Sequence, residues 1–141
     1  VSLLERARTY GSLVTISHTV FALPFGAAAV VLAHAVPHVP LTVGRGGAML
    51  VCMVAARSSA MAYNRYADRE VDAANPRTAG RHIPRGLVSA REALLVTAAS
   101  GAAFVVAAAT LGVVPAVLSP LVLLVLLGYS HAKRLTWASH A

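Results

Sequence analysis

The stretch ALLVTAASGAAFVVAAATLGVVPAVLSPLVLLVLLGYSHA, residues 93–132, holds no Asp, Glu, Lys or Arg. An apolar segment of about 20 residues crosses a bilayer as a helix. This run is too long for one crossing and suits two. A break is therefore required inside it. "GVVP", residues 112–115, supplies one, because Gly and Pro punctuate helices; a break near Pro120 is the alternative. The run thus predicts two membrane spans, about 91–112 and 114–133.

The rest of the chain follows the same logic. A second charge-free stretch separates Arg8 from Arg45 and predicts a span over about 11–35, ending before the Pro-containing "VPHVP". It is too long for a signal peptide and is not followed by a polar mature domain. A further span runs over about 46–72. Only 12% of the 141 residues are charged and 57% are apolar, whereas soluble domains carry about 25% charged residues. The fold class is therefore all-α: a polytopic transmembrane helical bundle, with four spans present. The net charge of +7 is not a nucleic-acid signature, since the basic residues flank apolar spans, where anionic headgroups and orientation account for them. The lone Cys52 supports neither a disulfide nor a zinc site.

Orientation follows from Lys and Arg counts. The N-terminal segment holds Arg6 and Arg8, the first loop Arg45, the loop from Arg65 to Arg91 six, the third loop none, and the tail Lys133 and Arg134. This alternation predicts that the N terminus, the long middle loop and the tail lie on the cytoplasmic side of the plasma membrane.

Within this frame, "NRYADREVD", residues 64–72, places Asn64, Asp68 and Asp72 four residues apart. On a helix they lie within roughly 80° of one another. Two carboxylates and an amide are hard oxygen donors that suit Mg²⁺, which keeps several waters and bridges to phosphate oxygens. The bland alternative is a solvated helix end, with Asp68 and Asp72 neutralised by Arg65 and Arg69. "NPRTAGRHIPRG", residues 75–86, adds Arg77, Arg81 and Arg85, cations of the kind a metal-bound diphosphate needs on its free oxygens. Arg57, two turns before Asn64, shares its face. It costs about 2.5–3.5 kcal/mol to insert in lipid, so it must face a bundle interior or a wet cavity. There it is either an internal ion pair or carbonyl cap, or an anion site.

The run "AMAYNRYADREVDAANPRTAGRHIPRG" closely resembles the first Asp-rich motif, N-x-x-x-D-x-x-x-D, and following loop of the UbiA superfamily of intramembrane prenyltransferases. "YSHAKRLT", residues 129–136, resembles that family's Tyr-x-x-x-Lys motif. "SHTVFALPFG", residues 17–26, resembles the first helix of a branch linked to menaquinone biosynthesis through futalosine. The resemblance implies an enzyme that transfers a polyprenyl group from a polyprenyl diphosphate to an aromatic acid acceptor of the 4-hydroxybenzoate or dihydroxynaphthoate type, in ubiquinone or menaquinone biosynthesis. It implies that Asn64, Asp68 and Asp72 hold Mg²⁺ and diphosphate, with Asp68 and Asp72 as catalytic groups. It further implies that Arg77, Arg81 and Lys133 neutralise the diphosphate, that Tyr129 supports that site, and that Arg57 and His18 contact the acceptor. His82 stands where many relatives have Pro after the arginine.

The family has about nine spans and a second Asp-rich motif, whereas Asp68 and Asp72 are the only Asp residues here. Residues 1–141 are therefore expected to be the N-terminal half of one domain, inactive without its C-terminal half. A CDP-alcohol phosphotransferase would need an Asp-Gly dipeptide, and the sequence has none. A four-helix membrane scaffold or transporter half is the non-enzymatic alternative.

Overall fold

The computed structural model describes residues 3–14, 24, 26–28, 31, 40 and 42–135, with residues 133–135 as backbone alone. Among these, five helices are delimited: α1 (Leu3–Leu13), α2 (Val43–Ala67), α3 (Arg69–Ala74), α4 (Ala90–Leu111) and α5 (Val113–Leu135). No strand occurs among the described residues.

The charge-free run becomes α4 and α5, separated by Gly112 alone. The expected break over residues 112–115 is right in place but tighter than a four-residue turn. Gly112 adopts φ 143° and ψ 178°, a region of backbone space open in practice only to glycine. Pro115 lies within the first turn of α5, where its missing N–H costs nothing. Pro120 lies inside α5 without ending it. A proline there cannot bond the carbonyl four residues back, which belongs to Ala116. The adjacent Ser119, 1% exposed, donates its hydroxyl to that same Ala116 oxygen at 2.9 Å. Ser119→Ala is expected to leave the carbonyl unpaired in an apolar setting and to cost about 1–2 kcal/mol. A thermal melt in detergent unchanged by the substitution would contradict this account.

Helices α2 and α4 form the main interface. They run antiparallel: the Cys52 thiol points to the Phe104 carbonyl at 3.9 Å, and the Ser59 hydroxyl donates to the Thr97 carbonyl at 3.0 Å. The seam is built from small residues, with Ala55, Ser59 and Ala62 of α2 buried against a face of α4 that includes Ala93, Thr97 and Gly101. Small side chains let backbones approach where lipid supplies no hydrophobic drive between helices. Gly101 sits at the crossing: a Cβ there would lie 3.4 Å from Ser59 Oγ and 3.6 Å from Leu123 Cδ1 of α5. Gly26 packs as closely, its would-be Cβ 3.0 Å from Met53 Sδ. Ala98, by contrast, is exposed and lines an open apolar groove of about 540 Å³ with Leu94, Ala102 and Leu127.

Large apolar side chains cover the outside of α5, where Val117 and Leu124 are each 70% exposed. That surface is stable in hydrocarbon and unfavourable in water. Two helices among the described residues are long and apolar enough to cross a membrane, α4 and the Val113–Ala132 part of α5. The 25-residue α2 is long enough, at about 38 Å, but Arg57, Ser58, Ser59 and Asn64 dilute its apolar character. Of the expected first span, over 11–35, most lies outside the described residues. Within it, residues 24, 26–28 and 31 are helical as expected, but α1 begins at Leu3 rather than Gly11 and is followed by a turn at Val14. Its polar residues support that early start, with Glu5 in the first turn and the Thr9 hydroxyl donating to the Glu5 carbonyl at 2.9 Å.

The end of α1 docks on the bundle. Leu13 and Val14 are buried in a cluster with Ala62, Val88 and Ala93, flanked by Tyr10, Tyr66 and Ile83. Polar links reinforce it. Ser89 opens α4 with a capping box: its hydroxyl accepts the Glu92 N–H, and the Glu92 carboxylate accepts the Ser89 N–H. The same carboxylate accepts the Tyr10 hydroxyl at 3.0 Å.

Candidate functional site

Asn64, Asp68 and Asp72 keep the one-turn spacing that the sequence predicts, despite a break between α2 and α3 at Asp68. The Asp68 N–H donates to the Asn64 carbonyl at 2.9 Å, and the Asp72 N–H donates to the Asp68 carbonyl at 2.8 Å. These two bonds keep one helical turn on each side of the break at Asp68. By helical phase Asn64 lies about 140–180° from Ala55, Ser59 and Ala62, the residues that pack on α4, and so faces away from the main interface; Asp72 lies about 80–140° from them.

Yet Asp72 is 4% exposed. The following loop covers it. Pro76 forces Asn75 out of the helical region, to φ −101° and ψ 118°, which ends α3. Asn75 then organises the turn: its side-chain oxygen accepts the Arg77 N–H at 3.0 Å, and its carbonyl accepts the Thr78 and Ala79 N–H groups. The Thr78 hydroxyl donates back to the Asp72 carbonyl at 3.1 Å. Gly86, at φ 69°, supplies the left-handed residue that turns the chain toward buried Val88. The folded loop carries Arg81 onto Asp72, where one guanidinium nitrogen, Nη1, donates to Oδ1 at 2.6 Å and to Oδ2 at 2.8 Å.

The direct ion-pair partner of Asp72 is thus Arg81, an arginine outside the pair that the bland reading names. Arg69 instead pairs with Glu70 at 2.8 Å, donates to the Tyr66 carbonyl and lies over the Tyr66 ring, 4.5 Å from its centre. Arg65 lies within electrostatic reach of Arg81, Asp72 and Asp68. Its Nε is buried and finds no hydrogen-bond partner among the described residues, and the same holds for that of Arg57. An orphaned buried N–H on each side chain is consistent with groups built to meet an anion.

The remaining candidates are less gathered. Arg77 is exposed on the same loop. Tyr129 is 56% exposed on α5. Lys133 lies within α5, but its side chain is outside the described residues, as is His18. The structure adds neighbours that no spacing could reveal. The Tyr63 hydroxyl and His131 Nε2 lie 2.8 Å apart, with rings edge to face at 5.7 Å, which ties the Asp-rich end of α2 to the Tyr-x-x-x-Lys end of α5. Sixty-eight residues separate the two, so only their adjacency to the motifs could have flagged them.

His82 also finds a role. Its Nε2 lies 2.7 Å from the Ser12 hydroxyl, joining the loop to α1. Burial, with the Arg65 and Arg85 cations, pushes its pKa below the usual histidine value. The unfolded chain then takes up the proton first as pH falls. Stability from this site is complete above about pH 6.5 and declines as pH drops through the lowered value. Melting temperature should fall between pH 7 and pH 5.5, and His82→Gln should flatten that slope; an identical slope in the variant would exclude His82 as its source.

The donor set partly fits a divalent cation. Asn64, Asp68 and Asp72 present hard oxygens on successive turns, and Mg²⁺ is commonly held by one or two carboxylates plus substrate phosphate. Among the described residues no group of three or more His, Cys, Asp or Glu side chains is arranged for a metal, so the ion would depend on oxygens beyond these carboxylates. Arg81 takes the cationic position against Asp72.

A family model described as the UbiA prenyltransferase family matches residues 14–141. A 4-hydroxybenzoate octaprenyltransferase from Aliivibrio salmonicida (strain LFI1238) is 35% identical over 81 residues, covering 57% of this chain and 28% of that protein. The apo structure of a UbiA homolog from Aeropyrum pernix K1 superposes with a TM-score of 0.77 at 42% identity, over 85% of this chain and 42% of that one. The chain thus spans less than half the length of either relative.

Proposed function

The chain belongs to the UbiA prenyltransferase family, and we propose that it forms the diphosphate-binding part of a membrane enzyme that moves a polyprenyl group onto an aromatic quinone precursor. The observation that carries this is the folding of the Arg-rich loop back over the Asp stripe, which sets Arg81 against buried Asp72. A carboxylate site beside guanidinium groups can hold both a metal ion and the anion that the metal bridges.

In this reading Asn64, Asp68 and Asp72 hold Mg²⁺. Held there, Mg²⁺ would supply positive charge to a leaving diphosphate. Arg77, Arg81 and Lys133 take charge on the diphosphate oxygens, with Tyr129 supporting them. Asp68 and Asp72 act as catalytic groups through this placement. Arg57, with its buried orphan Nε, binds the acceptor carboxylate together with His18. The acceptor is a 4-hydroxybenzoate or dihydroxynaphthoate, the first supported by the name of the Aliivibrio relative. The 141 residues contribute four of about nine spans as the N-terminal half of the domain, and the C-terminal half completes the metal site. The N terminus, Asp motif and loop face the cytoplasm at the plasma membrane, since Lys and Arg concentrate there.

The test is retention of a polyprenyl diphosphate by the full-length protein. Mg²⁺ should promote it, and EDTA or the double substitution Asp68→Asn with Asp72→Asn should abolish it. Retention indifferent to both would favour a scaffold instead.

A further inference from the structure

The Asp72–Arg81 pair has a feature that a passive structural clamp does not need. Both Asp72 oxygens accept from the same nitrogen, Arg81 Nη1. The pair therefore uses one corner of the guanidinium rather than the parallel two-nitrogen fork that makes Arg–carboxylate pairs strongest. The burial is lopsided as well: the Asp72 side chain is 6% exposed and that of Arg81 36%. The carboxylate is fixed and enclosed, while its cation sits at the rim with donors to spare. The Arg81 backbone is anchored independently, since its N–H donates to the Thr78 carbonyl and its own carbonyl accepts the Arg85 N–H. A long side chain on a held backbone can change partners without unfolding the loop.

We propose that Arg81 is an exchangeable counter-ion. It neutralises Asp72 while the site lacks metal, and it moves onto the diphosphate when Mg²⁺ takes the carboxylate. This rests on reading Asp72 as a metal ligand. The physical reason is charge balance. A buried carboxylate without a cation is costly, so the metal-free site needs an internal substitute. A divalent ion at Asp72 repels the guanidinium that occupies the same carboxylate edge. The incoming anion offers that guanidinium a new partner within side-chain reach. Each ligand alone must therefore break the Asp72–Arg81 pair, whereas the two together exchange it for two better-matched contacts. Arg65, near Asp68, Asp72 and Arg81, adds to the same positive field and favours Arg81 leaving once a metal is present.

The consequence has an unusual sign. Removing either member of the pair should improve binding of the other member's ligand. Mn²⁺ serves as a paramagnetic probe of the metal site, and inorganic pyrophosphate as a probe of the anion site, both titrated into the full-length protein in detergent. Without pyrophosphate, Arg81→Gln should bind Mn²⁺ at least about fivefold more tightly than wild type. Arg85→Gln removes the same charge from the same loop and should change it far less. In EDTA, Asp72→Asn should bind pyrophosphate more tightly than wild type, and more so than Glu70→Gln, which removes an equal charge from the exposed pair with Arg69. Arg81→Lys, which keeps the charge but not the guanidinium, guards against loss of fold and should tighten Mn²⁺ in the same direction by less. Arg81 variants that match Arg85→Gln, or bind Mn²⁺ more weakly than wild type, overturn the exchange. If Asp72→Asn weakens Mn²⁺ binding and those variants still do not tighten it, only the exchange falls. If Asp72→Asn leaves Mn²⁺ binding unchanged, the metal-site reading falls and the exchange with it.

Discussion

Asp72→Ala should abolish prenyl transfer and release the Arg-rich loop together. Asp72 is buried beneath that loop and is the partner of Arg81. Its loss strands a guanidinium against a cavity and removes one proposed metal ligand. Breaking a fully buried ion pair costs about 3–5 kcal/mol; with Arg81 about a third exposed, about 2–3 kcal/mol is expected here. Thr78, whose hydroxyl bonds the Asp72 carbonyl, keeps part of the turn in place, so the bundle should stay folded while the loop loosens. Loss of a preorganised electrostatic group at a reacting centre costs about 10²–10³-fold in rate. Two measurements check this: the transfer rate of the full-length enzyme, and trypsin cleavage after Arg77, Arg81 and Arg85. An Asp72→Ala variant with its loop still protected would show that the ion pair does not hold the loop down.

Gly101→Leu is the second large effect, and it acts on the scaffold. Residue 101 is enclosed on two sides: a bare Cβ already lies 3.4 Å from Ser59 Oγ and 3.6 Å from Leu123. Ser59 is 0% exposed and committed to the Thr97 carbonyl, so it cannot withdraw without losing its bond. An isobutyl group must therefore part α2 from α4 or displace α5. Overpacking of this kind costs about 1–3 kcal/mol, and the unmade Ser59 bond adds about 1 kcal/mol. Gly101→Ala should cost far less, because a lone methyl at those distances requires shifts of only tenths of an ångström. The pair separates steric wedging from loss of glycine flexibility. Equal destabilisation of both variants in a thermal melt would refute the wedge. Transfer activity should fall with Gly101→Leu as well, since α2 carries Asn64 and leads directly into Asp68.

Much of this was legible in the residues themselves, for reasons of period and solvation. The uncharged run of 93–132 could only be stable out of water, and its Gly-Pro punctuation located the break at Gly112. The four-residue spacing of Asn64, Asp68 and Asp72 survives a helix interruption because Asp68 bonds one turn back to Asn64 and accepts from Asp72 one turn on. Other features were hidden because they depend on distance in space. Asp72 has Arg69 three residues and Arg65 seven residues before it, and nothing local ranked them below Arg81. Glu70 and the Tyr66 ring claimed Arg69, and the turn at Asn75–Pro76 delivered Arg81. The early start of α1 was masked by a hydropathy boundary that sees lipid preference and not docking of Leu13 and Val14 on Ala62, Val88 and Ala93.

By itself, then, the order of amino acids determined which segments leave water, how they are phased, and which oxygens share a helical stripe, because those properties arise from neighbours a few residues apart. The tertiary structure alone decided which cation meets Asp72, how closely α2 and α4 approach, and that Ser119 compensates for Pro120 in place. Those outcomes are contests for a single partner, and the winner is set by where the folded chain brings each donor.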